Sequence, residues 1–280
     1  MSGNIPDILA RIVDYKKAEL AAAMVSRDEL ESLAGENRAK RRDFRAALLE
    51  RTPAIIAEIK RASPTKGVID DDCDPAAVAR AYEAGGAVAL SVLTDEKFFQ
   101  GSLDDLGIAR GAVRLPVLRK DFTFDEYHVA ESAACCADAV LLIATILPSK
   151  RLRQLREYAA RFGLEALVEV HDEEELASAL DSGAQIIGVN NRNLRTFEVT
   201  LETSLRLAPL IPAGVIRVSE SGIRSADDIR RLQDAGYRSF LIGEHLVRSK
   251  DPQRALAAML QPLPPAPPLA HPSLSHPAVA

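Results

Sequence analysis

Glu58 and Lys60 stand two residues apart at the end of the apolar run Ala54-Ile55-Ile56-Ala57, and Lys120, Glu169, Asn190 and Glu220 close other apolar runs further along the chain. Residues two apart on a strand share a face, so Glu58 and Lys60 point the same way at the strand's carboxyl end. Carboxylates and ammonium groups gathered at one place can move protons to and from a substrate, whereas a single charged strand end can simply meet water. A second signal lies in Ser219-Glu220-Ser221-Gly222-Ile223 and Leu241-Ile242-Gly243-Glu244-His245, where glycine stands at the passage from strand to short helix. Glycine lets the backbone approach a ligand closely, and the N–H groups of a helix start attract an anion. One such glycine can be only a turn; the pair points to a phosphate site in which Glu244 takes part through its backbone, its carboxylate turned away.

The elements that must position these groups follow from residue 54 onward. Apolar, β-branched runs occur at 54–60, 88–93, 115–120, 139–143, 165–170, 185–190, 215–220 and 239–243, separated by amphipathic segments. Asp74-Pro75 offers a cap and a first helical position, and 172–175 puts acid in a first helical turn. Eight strand-helix units with crossovers of this length predict a (β/α)8 barrel, and no strand opens onto the G-x-G-x-x-G loop of a dinucleotide-binding sheet. Barrel sites lie at the carboxyl ends of the strands. The charged residues fall on strands one, three, five and seven, which supply side chains to one layer, so Glu58, Lys60, Lys120, Glu169 and Glu220 are expected to converge as a catalytic ring.

The flanks read differently. Ile5, Ile8, Leu9 and Ile12, then Phe44, Ala47 and Leu48, recur at helical spacing before Thr52-Pro53, which predicts a helical extension over residues 1–50 packed on a barrel of residues 51–261. Residues 262–280 are rich in Pro and Ala, carry no charge and read as a disordered tail.

A net charge of -5 argues against a general nucleic-acid binder, and no apolar run approaches membrane-spanning length. Three cysteines do not make a disulfide framework, and the expectation is a soluble cytoplasmic protein. Asp70, Asp71, Asp72 and Asp74 read as a solvated acidic turn. The five histidines form no ligand constellation, Cys135-Cys136 reads as packing, and no metal is expected.

The chain resembles indole-3-glycerol phosphate synthase. The resemblance is carried by Ala57-Glu58-Ile59-Lys60-Arg61-Ala62-Ser63-Pro64, Ser91-Val92-Leu93-Thr94-Asp95, Phe98-Phe99-Gln100-Gly101, Leu118-Arg119-Lys120-Asp121-Phe122, Leu167-Val168-Glu169-Val170-His171, Gly188-Val189-Asn190-Asn191-Arg192 and Glu220-Ser221-Gly222. It departs from the family at Thr65, His128 and Asn193, where Ser, Gln and Asp are usual. The resemblance implies ring closure, decarboxylation and dehydration of an anthranilate joined to a ribulose phosphate, in tryptophan biosynthesis. It implies Lys120 as general acid at the ketose oxygen, Glu169 as base in dehydration, Lys60 with its partner Glu58 facing the substrate's anionic groups and the developing ring, and Glu220 tuning the cluster. Ser63, Asn190 and Arg192 would position substrate, and Ser221, Gly222, Gly243 and Glu244 would cradle its phosphate.

No organic cofactor is implied, since the iminium left by ring closure accepts the electrons released on decarboxylation. Association with another tryptophan-pathway enzyme stays open. Two other readings also stay open: a lyase working through a Schiff base on Lys60 or Lys120, and a phosphosugar-binding scaffold without turnover.

Overall fold

The computed structural model describes residues 7–64, 67–69 and 73–261. Ile5, Thr65, Asp70, Asp71, Asp72 and the expected tail 262–280, with His271 and His276, lie outside the described residues.

Eight parallel strands close into a barrel: β1 (Ala54–Ile59), β2 (Ala89–Leu93), β3 (Val117–Lys120), β4 (Ala139–Ile143), β5 (Glu165–Val170), β6 (Ile186–Asn190), β7 (Ile216–Glu220) and β8 (Ser239–Ile242). Each strand pairs with its neighbours in sequence, and β1 pairs with β8, Ala54 opposite Ser239, to complete the circle. The strands are up to two residues shorter than the apolar runs suggest. Lys60 therefore lies just past β1 rather than on it.

Strand alternation sorts the side chains into two cores. Ala54 and Ile56 of β1, Leu118 of β3, Leu141 and Ile143 of β4, Leu167 of β5, Ile186 of β6, Val218 of β7 and Leu241 of β8 fill the barrel interior. Ile55, Ala57, Val92, Val117, Val140, Val168, Ile187 and Phe240 face outward and pack in a second core with helix residues. Continuing the inward set by two residues reaches Glu58, Lys120, Glu169 and Glu220, and by four residues on β6, past Gly188, reaches Asn190, which is why one face of these strands carries both packing and polar groups.

The covering helices begin where the sequence signals them. Asp74 accepts from the Ala76 N–H at 2.9 Å and Pro75 opens the helix Pro75–Gly85, while Asp172 caps the helix Glu173–Asp181 by accepting from the Glu175 N–H at 2.9 Å. Before the barrel come α1 (Asp7–Ala21), α2 (Arg27–Asn37) and α3 (Phe44–Glu50). Leu9 and Ile12 of α1 are buried. Phe44 and Leu48 of α3 belong to the interior core, so α3 packs into the barrel itself. No helix among the described residues is long and apolar enough to cross a membrane.

Candidate active site

At the carboxyl ends of the strands lies a cavity of about 560 Å³. All twelve residues expected at the site line it: Glu58, Lys60, Ser63, Lys120, Glu169, Asn190, Arg192, Glu220, Ser221, Gly222, Gly243 and Glu244. Ile8, Leu9 and Ile12 of α1 also line it, which gives the expected helical stripe a place at the mouth of the site.

The ionised groups form two sets. Lys60 Nζ donates to Glu58 Oε1 at 2.7 Å. Lys120 Nζ donates to Glu169 Oε2 at 2.8 Å and stands 3.3 Å from Glu220 Oε2, an ion contact without hydrogen-bond geometry, because both Glu220 oxygens are buried with no hydrogen-bond partner. Glu58, Glu169 and Glu220 are all buried, so each charge needs compensation. Burial alone would lower the Lys120 pKa, but Glu169, Glu220 and Glu58 outweigh it and hold the ammonium well above its ordinary value. Burial would raise Glu169, yet Lys120 and His171 bring it down to about 2. For Glu220, burial and the nearby Glu169 charge outweigh Lys120, and its carboxyl is pushed up to about 7. Two neighbouring carboxylates thus differ in protonation, the arrangement that separates proton-accepting from proton-holding roles.

Small residues on the even strands make room for this ring. Gly188 of β6 lies in register with Glu169, and a Cβ there would sit 1.9 Å from Glu220 Oε1. A Cβ on Gly243 would sit 2.3 Å from Glu58 Oε1. Gly243 therefore gives space to a buried carboxylate as well as opening the short helix Glu244–Val247.

Ser221 and Gly222 both have positive φ, 67° and 79°, so the chain turns sharply after β7. The buried Asn191 fixes this turn: its amide donates to the Ser221 carbonyl and to Ser219 Oγ, both at 3.0 Å, and its Oδ1 accepts from the Ser204 N–H. Glu244 turns its carboxylate toward Arg192 at 3.5 Å and Arg248 at 3.6 Å. Asn193 Oδ1 accepts from the N–H groups of Arg195 and Thr196, an acceptor role that Asp would fill equally.

Sequence reasoning missed Asn191 as an anchor, Arg224 and Arg248 as lining cations, and His171 beside Glu169. Arg248 had one local signal, its place four residues after Glu244.

The family model described as indole-3-glycerol phosphate synthase matches residues 9–259. The chain belongs to the indole-3-glycerol phosphate synthase family. Relatives of that name from Chromobacterium violaceum and Albidiferax ferrireducens are each 49% identical over 258 and 259 residues, covering 90% of this chain and 97% and 98% of theirs. One from Burkholderia vietnamiensis is 48% identical over 258 residues, covering 90% of this chain and 98% of its own.

Solved structures share the fold at low identity. Thiamine phosphate pyrophosphorylase from Pyrococcus furiosus matches with a TM-score of 0.56 at 18% identity over 75% of this chain and 95% of its own. N-acetylmannosamine-6-phosphate 2-epimerase from Clostridium perfringens matches with a TM-score of 0.56 at 16% identity over 72% of this chain and 90% of its own. Membership of the indole-3-glycerol phosphate synthase family makes the chain an enzyme, a carboxy-lyase acting on a phosphorylated small molecule.

Proposed function

We propose that the chain converts 1-(2-carboxyphenylamino)-1-deoxyribulose 5-phosphate to indole-3-glycerol phosphate, with Lys120 and Glu169 carrying its main proton transfers. The observation behind this reading is Lys120 Nζ lying between Glu169 and Glu220 on the wall of the cavity. Lys120 holds a proton and Glu169 is ionised, so the pair begins the cycle as a ready donor and a ready acceptor. Lys120 donates to the ketose oxygen as the ring closes. Loss of carbon dioxide then feeds electrons to the iminium, Glu169 removes a proton from the ring carbon beside the nitrogen, and the hydroxyl takes up a proton from solvent and departs as water.

Lys60, paired with Glu58, faces the substrate's anionic groups and the developing ring, and Glu220 tunes the cluster. Ser63, Asn190 and Arg192 position the substrate. The turn at Ser221-Gly222 and the N–H groups at Gly243-Glu244 cradle its phosphate, with Arg224 and Arg248 supplying positive charge nearby. A biosynthetic enzyme acting on such a soluble substrate fits the cytoplasm, where we place it.

The raised Lys120 pKa speaks against a Schiff base on Lys120, since that chemistry requires a neutral amine. The direct test supplies purified protein with this substrate and follows indole-glycerol phosphate and carbon dioxide. A folded protein that binds the substrate without releasing either product would favour a scaffold. A borohydride-trapped substrate adduct on Lys60 or Lys120 would favour the Schiff-base lyase.

A further inference from the structure

We infer that His171, backed by Glu175, is a positioning residue that exchanges a proton with Glu169 and so resets this base between turnovers. The inference rests on the reading of Glu169 as the base in dehydration. His171 follows β5 by one residue and lies outside the set that lines the cavity, so it reaches the reaction only through Glu169. Its Nε2 is 3.5 Å from Glu169 Oε1, and its Nδ1 is 2.9 Å from Glu175 Oε2. Glu175 is itself fixed: Oε2 accepts from the His171 N–H at 2.8 Å, and Oε1 accepts from the Thr145 hydroxyl at 2.6 Å.

A carboxylate can only accept, so Glu175 places the Nδ1 proton and, in the neutral ring, leaves the Nε2 lone pair facing Glu169. Nε2 is buried and has no hydrogen-bond partner. Two electron pairs facing each other across 3.5 Å in a dry site repel unless a proton lies between them, and the reaction supplies one. When Glu169 has taken a proton from the substrate, its O–H bond breaks as an N–H bond forms at Nε2. Glu169 regains its charge, and the imidazolium between the two carboxylates gives its added proton up to solvent before the next turnover. This step answers a difficulty in the site, since a carboxylate that the Lys120 ammonium holds below its ordinary range is a poor resting place for a proton.

The groups facing the imidazole are Glu169 and Glu220 from inside the barrel, Glu175 from the helix Glu173–Asp181 and the Thr145 hydroxyl from the turn after β4, with Lys120 beyond Glu169. Burial lowers the His171 pKa, but the Glu175 hydrogen bond and the charges of Glu169, Glu175 and Glu220 raise it above its ordinary value. The imidazole must be neutral to accept, so turnover rises with pH through this raised pKa.

The test compares His171→Gln and Glu175→Gln with the native enzyme in kcat against pH and in single-turnover release of carbon dioxide and indole product. His171→Gln should leave KM and carbon dioxide release within about twofold, slow product formation on the order of tenfold, and abolish the acidic limb of kcat. Glu175→Gln removes one facing carboxylate without touching the cavity, and should move that limb down by about one pH unit. A native kcat–pH profile in both variants, or a loss equal at every pH and at both stages, overturns the inference. Glu169→Gln separates the two readings: if it forms product normally, the base assignment fails and takes this inference with it, whereas if it is defective and the His171→Gln profile is native, only His171 is misassigned.

Discussion

At the scale of single residues, the site depends on unequal protonation of similar groups. Lys120 is held as an ammonium by three carboxylates, so Lys120→Met should cut turnover by at least about 10²-fold with substrate affinity little changed. Glu169→Gln should act later, letting carbon dioxide escape while dehydration stalls, and single-turnover traces of the two products separate the stages. Native rates in Lys120→Met, or equal blocks of both products in Glu169→Gln, would refute this division. Glu220 yields a stability prediction with a defined sign. Its carboxyl titrates near 7 when folded and about 4.3 when unfolded, so the unfolded chain releases its proton first as pH rises. The native state loses stability across that window, from about pH 4.3 to about 7. Glu220→Gln lacks this loss and should melt higher than the native protein at pH 8 while turning over more slowly. Calorimetry between pH 5 and 8 reads the difference, and a lower melting temperature for the variant at pH 8 would contradict it.

At the scale of elements, one buried network joins the amino-terminal helix to the end of β3. Arg119 points outward from the strand that aims Lys120 inward. It meets Asp121 at 2.9 Å, Glu131 at 2.8 Å and the Thr94 hydroxyl at 3.0 Å. Lys16 of α1 reaches the same Asp121 at 3.2 Å, so the helix whose Ile8, Leu9 and Ile12 line the cavity is fastened next to Lys120. Burial works to raise the Asp121 carboxyl, but Arg119 and Lys16 hold it well below the usual carboxylate range. Its contribution is therefore complete above the unfolded value of about 3.9 and is lost as pH falls toward the folded value. Asp121→Asn should cost about 2 kcal/mol at pH 7, flatten the fall in melting temperature below about pH 4, and speed amide exchange in α1. Unchanged α1 exchange would show that the helix is held by its apolar face alone.

At the scale of the whole molecule, the closed barrel leaves no sheet edge and gives every inward side chain a shared interior. Its amino-terminal end is filled by α3, whose Phe44 and Leu48 are buried with Ile56, Leu118 and Ile186. Phe44→Ala should cost about 3 to 5 kcal/mol by opening a cavity there. Urea unfolding followed by circular dichroism measures the cost, and a loss below about 1 kcal/mol would mean that the helix is a detachable cover. The 1–50 extension is best regarded as part of the barrel's core at α3 and part of the site's mouth at α1, which is our proposal for its role. Its removal should then reduce both melting temperature and turnover.

The sequence by itself determined the period-two alternation of eight strands, the charged groups on odd strands and the glycines after β7 and β8, because each is a local pattern of side-chain direction and backbone freedom. Those patterns reach ten of the twelve expected residues that line the cavity, and Ser63 and Arg192 came only from the family resemblance. Tertiary structure alone decided that Lys120 pairs with Glu169 and Glu220 while Lys60 pairs with Glu58, that Gly188 gives Glu220 its space, and that His171 stands behind Glu169. The sequence left the direction of the Lys120 shift open for the same reason. Coulomb energies vary with distance and burial, and both are sums over strands far apart in the chain that meet only when the barrel closes.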